Sequence, residues 1–268
     1  MNSLKDKLNK IPLVMGILNI TPDSFSDGGH YLNPSLAIDH ALKMIDEGAD
    51  IIDIGGESTR PGASPISFEE ERNRIFPVIT ELRKQSNTYL SVDTYKPEIM
   101  SIAIEAGINM VNDIKALTNK GALDIILGSN VDISLMHMQG NPINMQVSPH
   151  YQSVVDEVIC FLKERVDVCI KAGINKERIV IDPGFGFGKT HDDNITLFKN
   201  IRNFVDLGSP VLIGVSRKSM IKNIVGDKLN DIIDVSAFYA ALAAKNGASI
   251  LRVHDVKETM AMLDKFKA

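Results

Sequence analysis

The chain of 268 residues is long enough for one large domain, and 44% hydrophobic with 24% charged residues is ordinary for a globular protein. A net charge of −5 excludes a general attraction to nucleic acid or anionic membranes. The sequence contains no apolar run near the roughly 18–20 residues of a membrane span and no signal-peptide core at its start. We therefore expect a cytoplasmic protein, with Cys160 and Cys169 as reduced core thiols on opposite faces of one helix.

Eight short apolar runs recur along the chain and read as strands buried on both faces. In chain order they span 13–20, 50–56, 89–94, 110–114, 132–138, 179–184, 210–216 and 249–255. Segments with helical period separate them, most clearly at 35–47, 67–84 and 152–171. Strands separated by helices cannot pair as hairpins, so parallel pairing is expected.

Eight such strand–helix units favour an α/β fold of the (β/α)8 TIM-barrel type over an open doubly wound sheet, which usually has fewer strands. The composition contains no linker and no low-complexity tract. The sequence therefore predicts a single domain over residues 1–268, with residues 1–11 as an N-terminal extension.

Polar residues stand late in nearly every predicted strand, where such barrels carry their active sites. They are Asn19, Glu57, Asp93, Asn112, His137, Asp182, Ser216, Arg252 and His254. A single polar residue at a barrel mouth has a structural explanation, because it can cap the following helix. The repetition over eight strands favours a site, since burying so many polar groups would otherwise cost stability.

The mixture of polar groups indicates the class of ligand. Asp93, Asn112 and Asp182 supply hydrogen-bond acceptors and one amide, which suits a flat heterocycle with several N–H donors. Lys218, at a predicted helix start, could donate to a ring carbonyl or attract phosphate. Arg252 shares strand parity with His254, and its planar guanidinium can stack on a ring and also reach an anion.

Two other kinds of site are disfavoured. DPGFGFGKT resembles a nucleotide P-loop, but Gly184 and Gly188 are separated by three residues where that motif needs four, and position 183 is proline. HExxH, paired CxxC and histidine-rich clusters are all missing from the sequence, so a tightly held zinc is not expected. Mg²⁺ held by substrate phosphates and one or two protein oxygens is compatible.

Long motifs identify the chain as similar to the dihydropteroate synthase family, pterin-binding enzymes of the folate pathway and targets of sulfonamides. In order, these motifs are MGILNITPDSFSDGG, DIIDIGGESTRPGA, SVDT, VNDI, HMQGNP, DPGFGFGK, SRKSM and RVHDV. The resemblance implies a (β/α)8 barrel, a homodimer and Mg²⁺. It also implies the condensation of 6-hydroxymethyl-7,8-dihydropterin pyrophosphate with p-aminobenzoate to give 7,8-dihydropteroate and pyrophosphate, by an SN1-like course.

The resemblance also implies roles for residues that match the family motifs. The pterin would be held by Asp93, Asn112, Met136, Asp182, Lys218 and Arg252. The pyrophosphate would be held by Asn19, Thr59, Arg60, Arg252 and His254, with Asn19 also touching Mg²⁺. The p-aminobenzoate and its mobile lid would involve Phe25, Pro61, Phe187 and Ser219. The catalytic groups would be Asp93, Lys218, Arg252 and His254.

Two alternative functions stay open at this point. A methyltetrahydrofolate-binding methyltransferase domain shares the pterin-holding barrel face, but it lacks the STRPG loop and works with a corrinoid-binding partner domain. A pterin-binding paralogue without turnover would be expected to have lost Arg252, His254, Lys218 or the first loop, and all of these are present.

Overall fold

The computed structural model describes residues 4–8, 12–21 and 34–267. Its eight strands confirm the predicted apolar runs, and β1, β3, β4 and β6 end on polar residues. They are β1 (Leu13–Asn19), β2 (Ile51–Gly55), β3 (Tyr89–Asp93), β4 (Met110–Asp113), β5 (Asp132–Met136), β6 (Ile179–Asp182), β7 (Leu212–Ile213) and β8 (Ile250–Val253). The helices of the described residues are α1 (Leu4–Lys7), α2 (Pro34–Asp46), α3 (Phe68–Gln85), α4 (Pro97–Glu105), α5 (Ala122–Leu127), α6 (Val154–Ala172), α7 (His191–Lys199), α8 (Ile201–Val205), α9 (Ser219–Val225), α10 (Leu229–Lys245) and α11 (Val256–Lys267).

All described strand pairs are parallel, in the order β6-β5-β4-β3-β2-β1-β8-β7. A parallel bridge between Ile181 and Val211 joins the two ends of this order. The predicted (β/α)8 barrel is confirmed. Its register places Asn19, Gly55, Asp93 and Asn112 beside one another on four consecutive strands. The late residues of these strands therefore meet at one end of the barrel.

The helices form where capping and apolar spacing agree. α3 begins after Ser67, whose hydroxyl accepts from the Glu70 N–H, and its buried side chains follow the helical period.

α6 buries Cys169 but leaves Cys160 exposed, so the prediction of two core thiols is wrong for Cys160. The reason is that only one face of α6 packs on the barrel. Both thiols are free.

The N-terminal end of the barrel interior is apolar. A cluster fills it, formed by Leu4, Leu13, Met15, Ile51, Tyr89, Met110, Val180, Leu212 and Ile250. Each large apolar side chain removed from water here stabilises the fold by about 1.5–3 kcal/mol. Leu4 belongs to the segment set aside as an extension, yet it is fully buried, because α1 packs over this end of the barrel.

The opposite end of the barrel interior is polar. Asp53, Ser91, Asn112, Ser134 and Asp182 are all buried on the strands that line it. Such a layer is costly to bury unless its groups find partners, so it marks the end at which function is expected.

None of the helices described is long and apolar enough to cross a membrane.

Candidate active site

Arg252, on β8, reaches across the barrel end of β1 and bonds to carboxylates on β2 and β3. Its Nε donates to Oδ2 of Asp53 at 2.6 Å, and its Nη2 donates to Oδ2 of Asp93 at 2.7 Å. Burial raises the pKa of Asp93 to about 7, with Asp53 adding to the rise and Arg252 opposing it. Burial alone would lower the pKa of Arg252, but the carboxylates of Asp53 and Asp93 hold it above its ordinary value. The structure thus brings the predicted residues Asp93 and Arg252 together.

Asp53 is a site residue that the sequence analysis missed. It is fully buried in the middle of β2 and accepts from both Arg252 and Asn112. Strand parity could have identified it, because Ile51 and Asp53 are two residues apart and therefore face the same side of β2. A carboxylate facing a barrel interior needs a cationic partner, which Arg252 supplies.

Asn112 completes the β3–β4 side of the site. Its Nδ2 donates to Oδ2 of Asp53 at 3.1 Å. The other oxygens of this group, Oδ1 of Asp53, Asn112 and Asp93, are buried and have no hydrogen-bond partner within the described part of the chain. The polar layer therefore contains three acceptors whose hydrogen-bonding capacity is unused.

Asp182 and Lys218 form the other side of the site. Oδ1 of Asp182 accepts from the Gly184 N–H at 2.7 Å, and burial raises the pKa of Asp182. Nζ of Lys218 donates to the Phe185 carbonyl and lies 4.8 Å from the centre of the Phe187 ring. Burial lowers the pKa of Lys218 to about 8, against the opposing charge of Asp182. This side of the site combines the carboxylate acceptors of Asp182 with one cationic donor, Lys218.

Met136 and Ser219, two further residues predicted from the sequence, lie next to Asp182 and Lys218. Met136 is buried and pairs in register with Asp182 across β5 and β6. Ser219 is exposed and begins α9 directly after Lys218. Phe25 lies outside the described residues.

The glycines of the P-loop look-alike are explained by packing. Gly184 has φ +70°, and a Cβ atom there would lie 1.9 Å from the His137 carbonyl oxygen. Gly188 has φ +65°, and a Cβ atom there would lie 2.3 Å from the carbonyl oxygen of Gln139. The loop after β6 therefore passes directly against the loop after β5, which only glycine permits.

His137 lies on the outer side of β5 and does not line the mouth, contrary to the prediction for polar strand ends. Its ring packs edge-on against Phe161 of α6, with ring centres 5.0 Å apart. Its Nδ1 lies 3.0 Å from Nζ of Lys189, a buried residue that sequence reasoning missed. Lys189 also donates to the carbonyls of Gly184 and Phe187, so it fastens the loop after β6.

Glu57 anchors the loop that carries Thr59, Arg60 and Pro61. Its carboxylate accepts from the Ile66 N–H at 3.2 Å, and it also receives the Tyr95 hydroxyl and the Lys96 ammonium. Glu57 was predicted as a mouth residue, and it instead closes the base of this loop. Thr59 is half-buried, while Arg60 and Pro61 are exposed.

His254 is surrounded by cations at the mouth. Its Nδ1 lies 3.1 Å from Oγ of Ser216. Burial lowers the pKa of His254 to about 3, and the charges of Arg252, Arg217, Lys218 and Arg60 contribute to this lowering. The imidazole is therefore neutral near pH 7 and can donate a hydrogen bond but carries no charge. The surrounding cations suit a polyanion.

Asn19 ends β1 at the same mouth. Gly55 lies between it and Asp93: a Cβ atom at Gly55 would lie 3.5 Å from Oδ1 of Asn19 and 3.5 Å from Cβ of Asp93. A Cβ atom at Gly55 would therefore be in ordinary van der Waals contact with both neighbouring side chains. The described residues contain no group of three or more His, Cys, Asp or Glu side chains that could hold a metal on their own.

Comparisons by family, by sequence and by structure all find pterin-binding enzymes. A family described as pterin binding enzyme matches residues 15–254. The dihydropteroate synthase of Haemophilus influenzae is 45% identical over 258 residues, which cover 96% of this chain and 94% of that protein. A Xanthomonas albilineans dihydropteroate synthase solved with 4-aminobenzoic acid has a TM-score of 0.91 at 48% identity, covering 97% of this chain and 93% of that chain. The X. albilineans enzyme in complex with 7,8-dihydropteroate has a TM-score of 0.88 at 45% identity, covering 97% and 94%.

Proposed function

The chain belongs to the pterin-binding enzyme family, among the dihydropteroate synthases, and we propose that it condenses 6-hydroxymethyl-7,8-dihydropterin pyrophosphate with p-aminobenzoate. The products would be 7,8-dihydropteroate and pyrophosphate. The observation that supports this proposal is the pair of buried acceptors, Oδ1 of Asp93 and Oδ1 of Asn112, which have no partner among the described residues and belong to the polar end of the barrel with Asp182 and Lys218. A pterin ring has the N–H donors and the carbonyl that such a set can bind.

In the proposed complex, Asp182 accepts from the 2-amino group and the adjacent ring N–H, while Lys218 donates to the ring carbonyl. Asp93 and Asn112 lie along the remaining ring edge, where N8–H is the one ring donor. Met136 packs beneath the ring, and Arg252 lies against it. The buried positions of Asp93, Asn112 and Asp182 support this assignment, because donors buried without acceptors would each cost about 1–3 kcal/mol.

The proposed reaction breaks the bond between the pterin methylene carbon and the pyrophosphate oxygen, which keeps the electron pair. Arg60, Lys218 and Arg252 would stabilise the departing anion by charge. His254 and Thr59 would donate hydrogen bonds to it. The low pKa of His254 supports a neutral role in place of charge neutralisation.

The carbon left behind would be cationic in an SN1-like course. Asp53 and Asp93 share the single guanidinium of Arg252, so this part of the barrel wall is net negative when both are ionised. A nearby negative charge favours a developing cation. The neutral amine of p-aminobenzoate then attacks the carbon, forms the C–N bond and loses a proton. No protein nucleophile is needed.

We propose that Asn19 at the barrel mouth would contribute to holding Mg²⁺. The amide oxygen of Asn19 is a hard ligand of the kind that Mg²⁺ prefers, and Mg²⁺ is usually completed by substrate phosphates and water. When bound, the ion would neutralise charge on the phosphate oxygens. The role of Asn19 is to hold it at the mouth.

The p-aminobenzoate would bind between Pro61, Phe187 and Ser219, with Phe25 in a closing lid. The half-buried Phe187 ring beside Lys218 supports an aromatic wall with a cation at its edge. The role of Phe25 stays a prediction from the sequence, since it lies outside the described residues.

We also propose a homodimer working in the cytoplasm. The exposed aromatic pair Phe238 and Phe266, with ring centres 5.8 Å apart on α10 and α11, supports an apolar surface that a second copy could cover. The cytoplasmic location rests on the sequence alone.

The proposed function is tested by pyrophosphate release from dihydropterin pyrophosphate, with and without p-aminobenzoate. We expect p-aminobenzoate to accelerate release and dihydropteroate to form, and removal of Mg²⁺ by a chelator to suppress both. Calcium in place of magnesium is the control for ion specificity. Tight pterin binding without turnover would instead indicate a non-catalytic pterin-binding protein, and absence of pterin binding would refute the site.

Pterin affinity should depend on pH in both directions. Because the pKa of Asp93 is raised to about 7, its ionised form, which is an acceptor only, is lost as the pH falls through that value. Because the pKa of Lys218 is lowered to about 8, its positive charge is lost as the pH rises through that value. Calorimetry should therefore find the tightest binding between these values. Asp93→Asn should remove the acidic limb and keep the alkaline one; an unchanged acidic limb would contradict the assignment.

A further inference from the structure

Ser216, in the loop after β7, contacts His254 twice. Its Oγ accepts from the His254 backbone N–H at 3.2 Å and lies 3.1 Å from Nδ1 of the imidazole, and the whole residue is buried. We propose that Ser216 is a positioning residue that fixes the tautomer and the orientation of His254, so that the ring presents its Nε2–H to the pyrophosphate. This inference rests on the proposed function, which makes His254 a donor but does not say which nitrogen donates.

The tautomer follows from the hydrogens that the two groups carry. A serine hydroxyl has one hydrogen to donate, and a neutral imidazole has one donating and one accepting nitrogen. Since a backbone N–H only donates, Nδ1 of His254 is the acceptor that the described residues place within reach of the Ser216 hydroxyl. With Nδ1 protonated, this buried hydroxyl would have no acceptor in the described part of the chain, which is unfavourable. Nδ1 therefore accepts, and the ring hydrogen is on Nε2.

Nε2 is the ring nitrogen left for a ligand. It has no hydrogen-bond partner among the described residues, and His254 is only half-buried. Burial, together with the charges of Arg252 and three other cations, lowers the pKa of His254 to about 3, so the ring is neutral and carries one hydrogen. A polyanion attracted by these cations meets a donor when Nε2 is protonated. In the opposite tautomer it would meet a lone pair, which is unfavourable.

The turn that carries Ser216 has a constrained backbone. The Lys218 N–H closes this turn on the Val215 carbonyl at 3.2 Å. Arg217, at the third position of the turn, has φ +56°, a left-handed conformation that favours glycine. A residue other than glycine keeps such a conformation only where its surroundings fix it.

Contacts of Arg217 fix the turn against β8 and α10. The carboxylate of Asp255 accepts from Nε of Arg217 at 2.9 Å and also from its Nη2. Oγ of Ser236, on α10, accepts from the Arg217 N–H at 3.0 Å. Asp255 directly follows His254, just as Arg217 directly follows Ser216. The ion pair therefore holds Ser216 opposite the imidazole.

The tautomer is measured directly by long-range ¹H–¹⁵N NMR of the full chain labelled with ¹⁵N-histidine, without ligand. The chain has six histidines, and His254→Gln identifies the signals of residue 254 by their loss. We expect an unprotonated Nδ1 and a protonated Nε2 at neutral pH. The opposite tautomer in the wild-type protein would overturn the proposal.

Ser216→Ala tests the effect on binding, because it leaves Nδ1 without a donor and lets the ring turn. Calorimetry should find about tenfold weaker binding of inorganic pyrophosphate with Mg²⁺, as expected from the loss of one hydrogen bond. Binding of 6-hydroxymethyl-7,8-dihydropterin, which lacks the pyrophosphate, should be unchanged. Ser216→Thr keeps the hydroxyl and should recover most of the pyrophosphate affinity. Wild-type pyrophosphate affinity in Ser216→Ala would overturn the role of Ser216.

A second background separates positioning from direct contact. In His254→Ala, the further change Ser216→Ala should cause no additional loss of pyrophosphate affinity, because there is no ring to position. An equal loss in both backgrounds would show that Ser216 acts without His254 and would overturn the proposal. Ser209→Ala is the matched control: this buried serine precedes β7, whereas Ser216 follows it, and both ligands should bind as to wild type.

Two replacements of His254 keep the proposal testable if Ser216→Ala does not fold. A glutamine amide reaches the position of Nε2, and an asparagine amide reaches that of Nδ1. His254→Gln should therefore retain more pyrophosphate affinity than His254→Asn, and the reverse order would overturn the proposal. If the wild-type protein binds neither pyrophosphate nor the dihydropterin, the proposed function itself fails, while the NMR measurement still decides the tautomer that Ser216 sets.

Discussion

Replacing Arg252 by methionine is expected to lower the free energy of unfolding by about 3–5 kcal/mol. The change removes the guanidinium that Asp53 and Asp93 share, and both carboxylates lie inside the barrel. Neither charge would then be compensated there. Urea unfolding at neutral pH measures the loss directly.

The pH dependence of this loss gives a further check. Without Arg252, the carboxyl pKa values in the folded state should rise, so the folded variant binds protons more readily than its unfolded chain. Its deficit relative to wild type should therefore shrink as the pH falls. Arg252→Lys keeps one charge but cannot bridge both carboxylates, and an intermediate loss is expected. A loss below about 1 kcal/mol in Arg252→Met would show that the two ion pairs do not support the fold.

Replacing Asp182 by alanine is expected to reduce pterin affinity by about a hundredfold or more, with two ligand donors left unpaired at about 1–3 kcal/mol each. Asp182 ends β6, is buried, and lies close enough to Lys218 for the two charges to interact across the mouth. Calorimetry with the pterin alone measures the loss without involving the lid or p-aminobenzoate.

The control for Asp182→Ala must account for the contact of Asp182 with Gly184, since that bond also holds the loop after β6. Circular dichroism and thermal unfolding of the variant show whether the loop change spreads into the fold. The exposed Asp206, changed to alanine, is a matched control that should bind as wild type. Unchanged affinity in Asp182→Ala would refute its assignment to the pterin.

The two experiments separate parts of one charge arrangement. Arg252 joins the carboxylates of β2 and β3, whereas Asp182 ends β6 and Lys218 follows β7. The bonds of Arg252 to Asp53 and Asp93 should matter for folding and for binding, because these side chains bond to each other. Asp182 and Lys218 should matter mainly for binding, because Lys218 bonds to a backbone carbonyl and its Nζ can turn to a ligand.

The sequence was informative where a local pattern carried the signal. Apolar runs predicted all eight strands, since a strand buried on both faces needs apolar residues throughout. Polar residues late in those strands predicted the mouth, and Asp93, Asn112, Asp182 and Arg252 do meet there in the polar layer. The long motifs predicted the family, which the relatives confirm.

The predictions failed where contacts between distant segments decide the outcome. His137 and Glu57 looked like mouth residues, yet one packs under α6 and the other closes a loop, because their side chains turn to partners that no local pattern reveals. Lys189 stands in the P-loop look-alike, and it is buried against backbone carbonyls of the loop after β6.

The sequence by itself determined the alternation of strands and helices and the chemical types gathered at one end, since strand period and apolar content act over a few residues. Only the tertiary structure decided which groups share a bond. Asp53 and Arg252 are 199 residues apart along the chain, and the parallel register that follows the barrel round from β2 through β1 to β8 brings them to 2.6 Å. That register depends on the whole sheet, which is why the partner of Arg252, and with it the orientation of Asn112, could be read only from the folded chain.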